Sequence, residues 1–302
     1  MLDHNDMKDR DGQLNLWFAL RGGCRRLVVF GALALCCAVF VTFVGAQDRL
    51  TPMQREIERQ KQRLSSADVE ERRDALMRLG NLKRPDASRA AAAGLNDLTP
   101  TVRVAATHAL VSMPATEATA LLLPMLKDKS EFVRREVAFV LGEMRDRSAT
   151  STLIDLLARD KQASVRAAAA VALGQIGDEA ATPALSQSIT GQGSKKKKSK
   201  GPEDEFVIRS AVRSLGKIGS RDAVPTLVTA LENEANSLET RREAATALGL
   251  IGDPAGLPAL QSALQSHADP YLSEAARVAI RQINRAKAKG AGKQFQRLCC
   301  SL

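Results

Sequence analysis

The sequence predicts an all-α chain: a right-handed α-solenoid of about seven helical hairpins, preceded by an N-terminal transmembrane or signal helix. Three observations predict it. One apolar phrase returns seven times at near-constant spacing, its small and apolar residues recur at helical period, and twenty consecutive uncharged residues stand near the N-terminus.

The N-terminal element is Leu27–Ala46, long enough to span a bilayer as a helix and preceded directly by Arg25 and Arg26. That arginine pair places residues 1–26 on the cytoplasmic side and the rest of the chain on the extracytoplasmic side. The alternative fate is cleavage after the small residues Val44-Gly45-Ala46, which would make the protein secreted or periplasmic. Residues 47–66 follow as a helical spacer. It opens at Thr51-Pro52-Met53-Gln54, a capping box with proline at the first helical position.

The repeat array is expected over 67–286. Its phrase reads EERRDALMRLG, TVRVAATHALV, FVRREVAFVLG, SVRAAAAVALG, FVIRSAVRSLG, TRREAATALG and YLSEAARVAI. The apolar residue near each phrase's end falls at Leu79, Leu110, Leu141, Leu173, Leu215, Leu248 and Ile280, at intervals of 31, 31, 32, 42, 33 and 32. The long interval alone contains GQGSKKKKSKG. Pairs such as Val137 and Val140 or Ala244 and Ala247 share one helix face, so each phrase is an amphipathic helix. Breaks such as Gly174-Gln175-Ile176-Gly177-Asp178 end it, with Gly stopping one helix and Asp capping the next. Second helices show in Leu153, Leu156 and Leu157, in Leu185 and Ile189, in Leu227 and Leu231, and in Leu260 and Leu264. A single hairpin cannot bury its apolar stripe, so neighbours must stack. Arg72, Arg103, Arg134, Arg166 and Arg241 share one position of the phrase. Asp97, Asp128 and Asp160 lie six residues before Arg103, Arg134 and Arg166, which predicts a structural ladder of salt bridges between each arginine and its preceding aspartate.

The phrase V-R-x-x-A-x-x-A-L-G-x-I-G-D resembles the HEAT-like repeats of phycobilin lyases over about 220 of the 302 residues. The resemblance implies a stacked superhelix that presents a long surface to a protein partner. Deoxyhypusine hydroxylase is similar too, and would need His-Glu pairs two and three residues into each phrase. Here those positions hold Arg73-Asp74, Val104-Ala105, Arg135-Glu136, Ala167-Ala168, Arg209-Ser210, Arg242-Glu243 and Glu274-Ala275. With only His4, His108 and His267 in the chain, a two-iron site has no imidazoles to build on. No cysteine lies between Cys37 and Cys299, which removes zinc clusters and cysteine nucleophiles from the array. No catalytic residue, metal ligand or cofactor site is expected.

The net charge of +10 divides into +3 for residues 1–64, +3 for 65–286 and +4 for 287–302. Five cations of the middle part sit in one insert, so the array carries no continuous basic stripe and nucleic acid is not the expected partner. The expected function is a non-catalytic protein-binding scaffold, membrane-anchored or exported. Its candidate contacts are Gln187, Thr226, Thr229 and Gln261 on second helices, with Lys195, Lys196, Lys197 and Lys198 of the basic loop 191–203. Two alternatives are an enzyme of phycobilin-lyase type and recruitment to anionic membrane or nucleic acid through that loop. Residues 287–302, ending in Cys299, Cys300, Ser301 and Leu302, read as a basic disordered tail.

Overall fold

The computed structural model describes residues 50–191, 203–265 and 269–299, with side chains of the last helix given to residue 288. Every regular element among them is helical. The expected span Leu27–Ala46 lies outside the described residues, and among those residues no helix is long and apolar enough to cross a membrane. The chain divides into two units, residues 1–59 and 60–302.

The helix α1, Pro52–Arg63, begins where the capping box predicts. The Thr51 N–H donates to Gln54 Oε1 (2.9 Å), and the Gln54 N–H donates to Thr51 Oγ1 (3.2 Å).

In the second unit the hairpins follow the phrases. They are α2 (Val69–Asn81) with α3 (Pro85–Ala91), α4 (Pro100–Ala109) with α5 (Ala115–Leu122), and α6 (Glu131–Met144) with α7 (Thr150–Arg159). Then come α8 (Ala163–Ile176) with α9 (Thr182–Thr190), α10 (Glu205–Ile218) with α11 (Val224–Glu232), and α12 (Leu238–Ile251) with α13 (Leu257–Leu264). Each first helix packs on the next first helix from α2 to α14, and the second helices α7, α9, α11 and α13 form a parallel row. The core is aliphatic: Val137, Val140 and Leu141 of α6, Ala169, Ala172 and Leu173 of α8, and Leu153, Leu185, Leu227 and Leu260 of the second row are all fully buried.

Among the described residues the array comprises six hairpins and a single last helix, where seven hairpins were expected. The last phrase lies in α14, Pro270–Cys299, which no second helix follows among the described residues. After Ile280 the chain reads RQINRAKAK, with no Gly-x-x-Gly-Asp break to stop a helix. For the same reason the segment expected as a disordered tail from 287 is helical to Cys299. Its Ala, Lys, Gln and Arg are strong helix formers. Burial in α14 ends earlier, with Leu272, Ala276, Ala279 and Ile283 facing the array.

The two glycines of each break do different work. Gly177, Gly219 and Gly252 sit at φ 72°, 78° and 73° and cap their helices in the left-handed region, while Asp178 and Asp253 accept from the N–H groups of Ala180 and Ala255. Gly142, Gly174, Gly216 and Gly249 lie inside their helices at the crossing with the next first helix. A Cβ on Gly216 would stand 2.8 Å from both Cα and Cβ of Ala247. Small residues are needed there because backbone meets backbone.

Candidate protein-binding surfaces

The arginine ladder runs one step further along the chain than spacing alone suggests. Arg72 holds Asp97 (2.7 Å), Arg103 holds Asp128 (2.8 Å) and Arg134 holds Asp160 (2.7 Å), so each arginine takes the carboxylate of the following turn. The preceding aspartate contributes its backbone instead: Arg103 Nη1 donates to Asp97 O (2.8 Å), and Arg134 Nη1 donates to Asp128 O (2.8 Å). An arginine fork near the start of a first helix spans both turns, which welds consecutive hairpins together. The Arg72 hydrogen bond holds the Asp97 carboxyl below the ordinary carboxylate range. At Asp128 and Asp160 burial pushes upward, and the bonds from Arg103 and Arg134 and from backbone N–H groups outweigh it.

The fourth rung closes the long insert. Arg166 reaches Glu203, and Gly191 caps α9 at φ 68°, so both ends of the basic loop are pinned to the array. At the fifth rung Ile208 stands in the arginine's position, and Glu205 of the same helix accepts from Ser237 and Thr240 instead. At the sixth the partner of Asp269 is Arg242 (2.8 Å), whereas Arg241, expected in the ladder, donates to Leu231 O (2.9 Å). These cations are consumed by the fold.

Of the residues expected to meet a partner, Gln187, Thr229 and Gln261 are exposed on α9, α11 and α13, neighbours in the second row, and Thr226 is half-buried. The Thr229 hydroxyl donates to Pro225 O (3.1 Å) within its own helix. Lys195, Lys196, Lys197 and Lys198 lie outside the described residues.

A second surface lies on the solvent side of the first helices. A groove of about 600 Å³ crosses α2, α4 and α6, with Val104 and Ala105 between Met77 on one side and Phe132 on the other. Met77 is 54% and Phe132 56% exposed. The charged groups of its walls are paired. Arg135 stacks over the Phe132 ring (5.3 Å) and donates to Glu136 Oε1, while Glu136 Oε2 lies 3.1 Å from His108 Nε2. Arg73 holds Glu70 (3.0 Å). Among the described residues no group of three or more His, Cys, Asp or Glu is placed to hold a metal ion.

Sequence reasoning did not single out this surface, yet a signal was present. Phe132, Phe206 and Tyr271 each stand nine residues before the end-of-phrase residues Leu141, Leu215 and Ile280, where the other phrases carry Glu70, Thr101, Ser164 and Glu239. All three are exposed, and arginines cover all three: Arg135, Arg209 (5.6 Å) and Arg242 (5.0 Å). Phe139 is exposed as well, so none of these four aromatic side chains fills the core.

No curated protein matches the sequence. Among solved structures, YibA of E. coli aligns with a TM-score of 0.52 at 20% identity, over 77% of this chain and 82% of that one. The CpcE–CpcF complex of phycocyanin lyase from a Nostoc species aligns at 24% identity, with a TM-score of 0.45, over 78% of this chain and 95% of that one. Human deoxyhypusine hydroxylase, solved with glycerol, aligns at 20% identity, with a TM-score of 0.38, over 76% and 96%. The family model for HEAT repeats matches residues 57–138, 120–195 and 200–281, and the chain accordingly belongs to the HEAT-repeat family.

Proposed function

We propose that this chain is a non-catalytic protein-binding scaffold, held at a membrane or exported by its N-terminal apolar segment, with the repeat array on the extracytoplasmic side. The observation that carries the reading is the exposure of Met77 and Phe132 on the two sides of a groove whose charged wall groups are already paired. Exposed aromatic and methionine side chains clustered at a recess are the composition of a protein-recognition patch. The second-helix row with Gln187, Thr226, Thr229 and Gln261 remains a further candidate contact surface. The paired arginines and aspartates of the ladder have a structural task and are not offered to a substrate.

The test is in-cell cross-linking and affinity capture of the tagged full-length protein, with mass spectrometry of what is retained. Three chains are compared: wild type, F132S/M77S, and Q187E/T229E/Q261E. One protein retained in near-stoichiometric amount and lost with either variant supports the scaffold. Retention of a small chromophore or metal and no protein would refute it in favour of an enzyme.

A further inference from the structure

The two turns that lead into α6 and α8 read Lys127-Asp128-Lys129 and Arg159-Asp160-Lys161, nearly balanced alternations of charge in sequence. The fold unbalances them. Asp128 and Asp160 are turned inward on Arg103 and Arg134, their side chains only 10% and 6% exposed, so the ladder neutralises both carboxylates. Lys127, Lys129, Arg159 and Lys161 are all exposed, and the three lysines have no ion-pair partner among the described residues. Arg159 has only a 3.4 Å pair with Asp155 within its own exposed turn. The other acid at this edge is Glu131, half-buried in the first turn of α6. Successive helices pack about 8–10 Å apart, so the two turns present cations on adjacent rungs about 10 Å apart.

This cationic edge borders the groove. Lys129 lies three residues before Phe132, and the exposed Leu98 and the wall residue Pro100 belong to the turn before. The pairing inside the groove leaves nothing for a phosphate to neutralise, because Arg73 and Arg135 are held by Glu70 and Glu136. The unpaired lysines stand on the rim, and the recess between Met77 and Phe132 is floored by apolar side chains. A flat lipid surface would meet the rim and miss the recess, and a nucleic-acid backbone would find a carboxylate, Glu136, in the wall.

We propose that the groove and its rim bind a segment of a partner protein that presents apolar side chains flanked by carboxylates, the apolar residues entering between Met77 and Phe132 and the acids meeting Lys127, Lys129 and Lys161. This deepens the protein-binding reading and rests on it. Buried aromatic anchors dominate such interfaces, while rim charges govern salt dependence and encounter.

The experiment is selection of a displayed random-peptide library on the purified full-length protein, followed by fluorescence-anisotropy titration of the enriched peptides. Enriched peptides are expected to combine apolar residues with Asp or Glu, and to bind more weakly as salt rises. F132S should weaken them roughly tenfold or more, and K127E/K129E/K161E about tenfold with loss of the salt dependence. Far-UV circular dichroism of each variant at the wild-type urea midpoint checks that the fold is kept. The proposal is overturned by enrichment of neutral or basic peptides, by no enrichment, or by indifference to either variant. Lysine-dependent binding of phosphatidylglycerol vesicles or single-stranded DNA without peptide preference would overturn it too, assigning the edge to those ligands. A cellular partner that is captured stoichiometrically and survives both variants would remove this inference and leave the scaffold reading in place.

Discussion

The close crossing of α10 and α12 makes Gly216→Ala destabilising, the reverse of what helix propensity alone predicts. In an ordinary helix interior this change gains about 1 kcal/mol, since alanine is the best helix former and glycine among the worst. Here the new methyl would meet Ala247 Cα and Cβ at 2.8 Å, with Leu250 Cδ1 at 3.6 Å. Two of these contacts are backbone or its first side-chain atom and cannot rotate away, so the helices must separate by close to an ångström. Overpacking of this kind costs roughly 1–3 kcal/mol, and separating two long helices belongs at the upper end. The net expectation is about 1–2 kcal/mol of destabilisation, which for a domain of this size lowers Tm by roughly 2–4 °C per kcal/mol. Urea and thermal unfolding of the full-length chain, followed by far-UV circular dichroism, measure it. A midpoint that rises by the propensity increment would refute the claim that backbone contact dictates glycine at this position.

Other outcomes follow from the same geometry. Arg145 ends α6 at φ 54°, a position that glycine fills at Gly177, Gly219 and Gly252, so Arg145→Gly should raise stability by about 1 kcal/mol in the same urea assay. Arg134→Leu strands the inward-facing Asp160 carboxylate and should cost about 3 kcal/mol, the lower end for breaking a buried pair, while R134L/D160L recovers part of it, the Asp128 carbonyl and the Gln162 N–H still lacking their partners. The ladder also contributes to the acid response. Folding holds the carboxyls of Asp97, Asp128, Asp160 and Asp269 below their ordinary values, so their contribution is complete above the unfolded pKa and is lost as pH falls through the folded one. Thermal midpoints should therefore be level from pH 7 to 5 and drop below about pH 4, with a shallower drop in R134L/D160L. An equally steep drop in that variant would remove this rung from the acid response.

Several features were legible because they are local. The return of Leu-Gly at Leu141, Leu173 and Leu215 marks the first helices, and the Asp that follows Gly177 and Gly252 marks the start of the next element. Leu153, Leu185, Leu227 and Leu260 could be assigned to the core from their spacing alone, and all are buried. The seventh phrase has the composition of a first helix but lacks the break that makes a second, so among the described residues it gives one helix and no hairpin. The sequence offers polar second-helix residues such as Gln187 and Thr229 as contacts, whereas the largest exposed apolar side chains stand on first helices.

Sequence by itself determined the fold class, the phase of the repeats and the absence of an iron-ligand pattern, since a period of 3.6 residues and a recurring break are written within a dozen neighbouring residues. Tertiary structure decided which aspartate each arginine holds, which glycine sits at a helix crossing rather than a helix end, and which aromatics stay outside the core. Those are contacts between residues about 25–35 positions apart, as in Arg134 with Asp160 and Gly216 with Ala247. Their partners depend on where two helix ends meet in space, a distance that no local periodicity encodes.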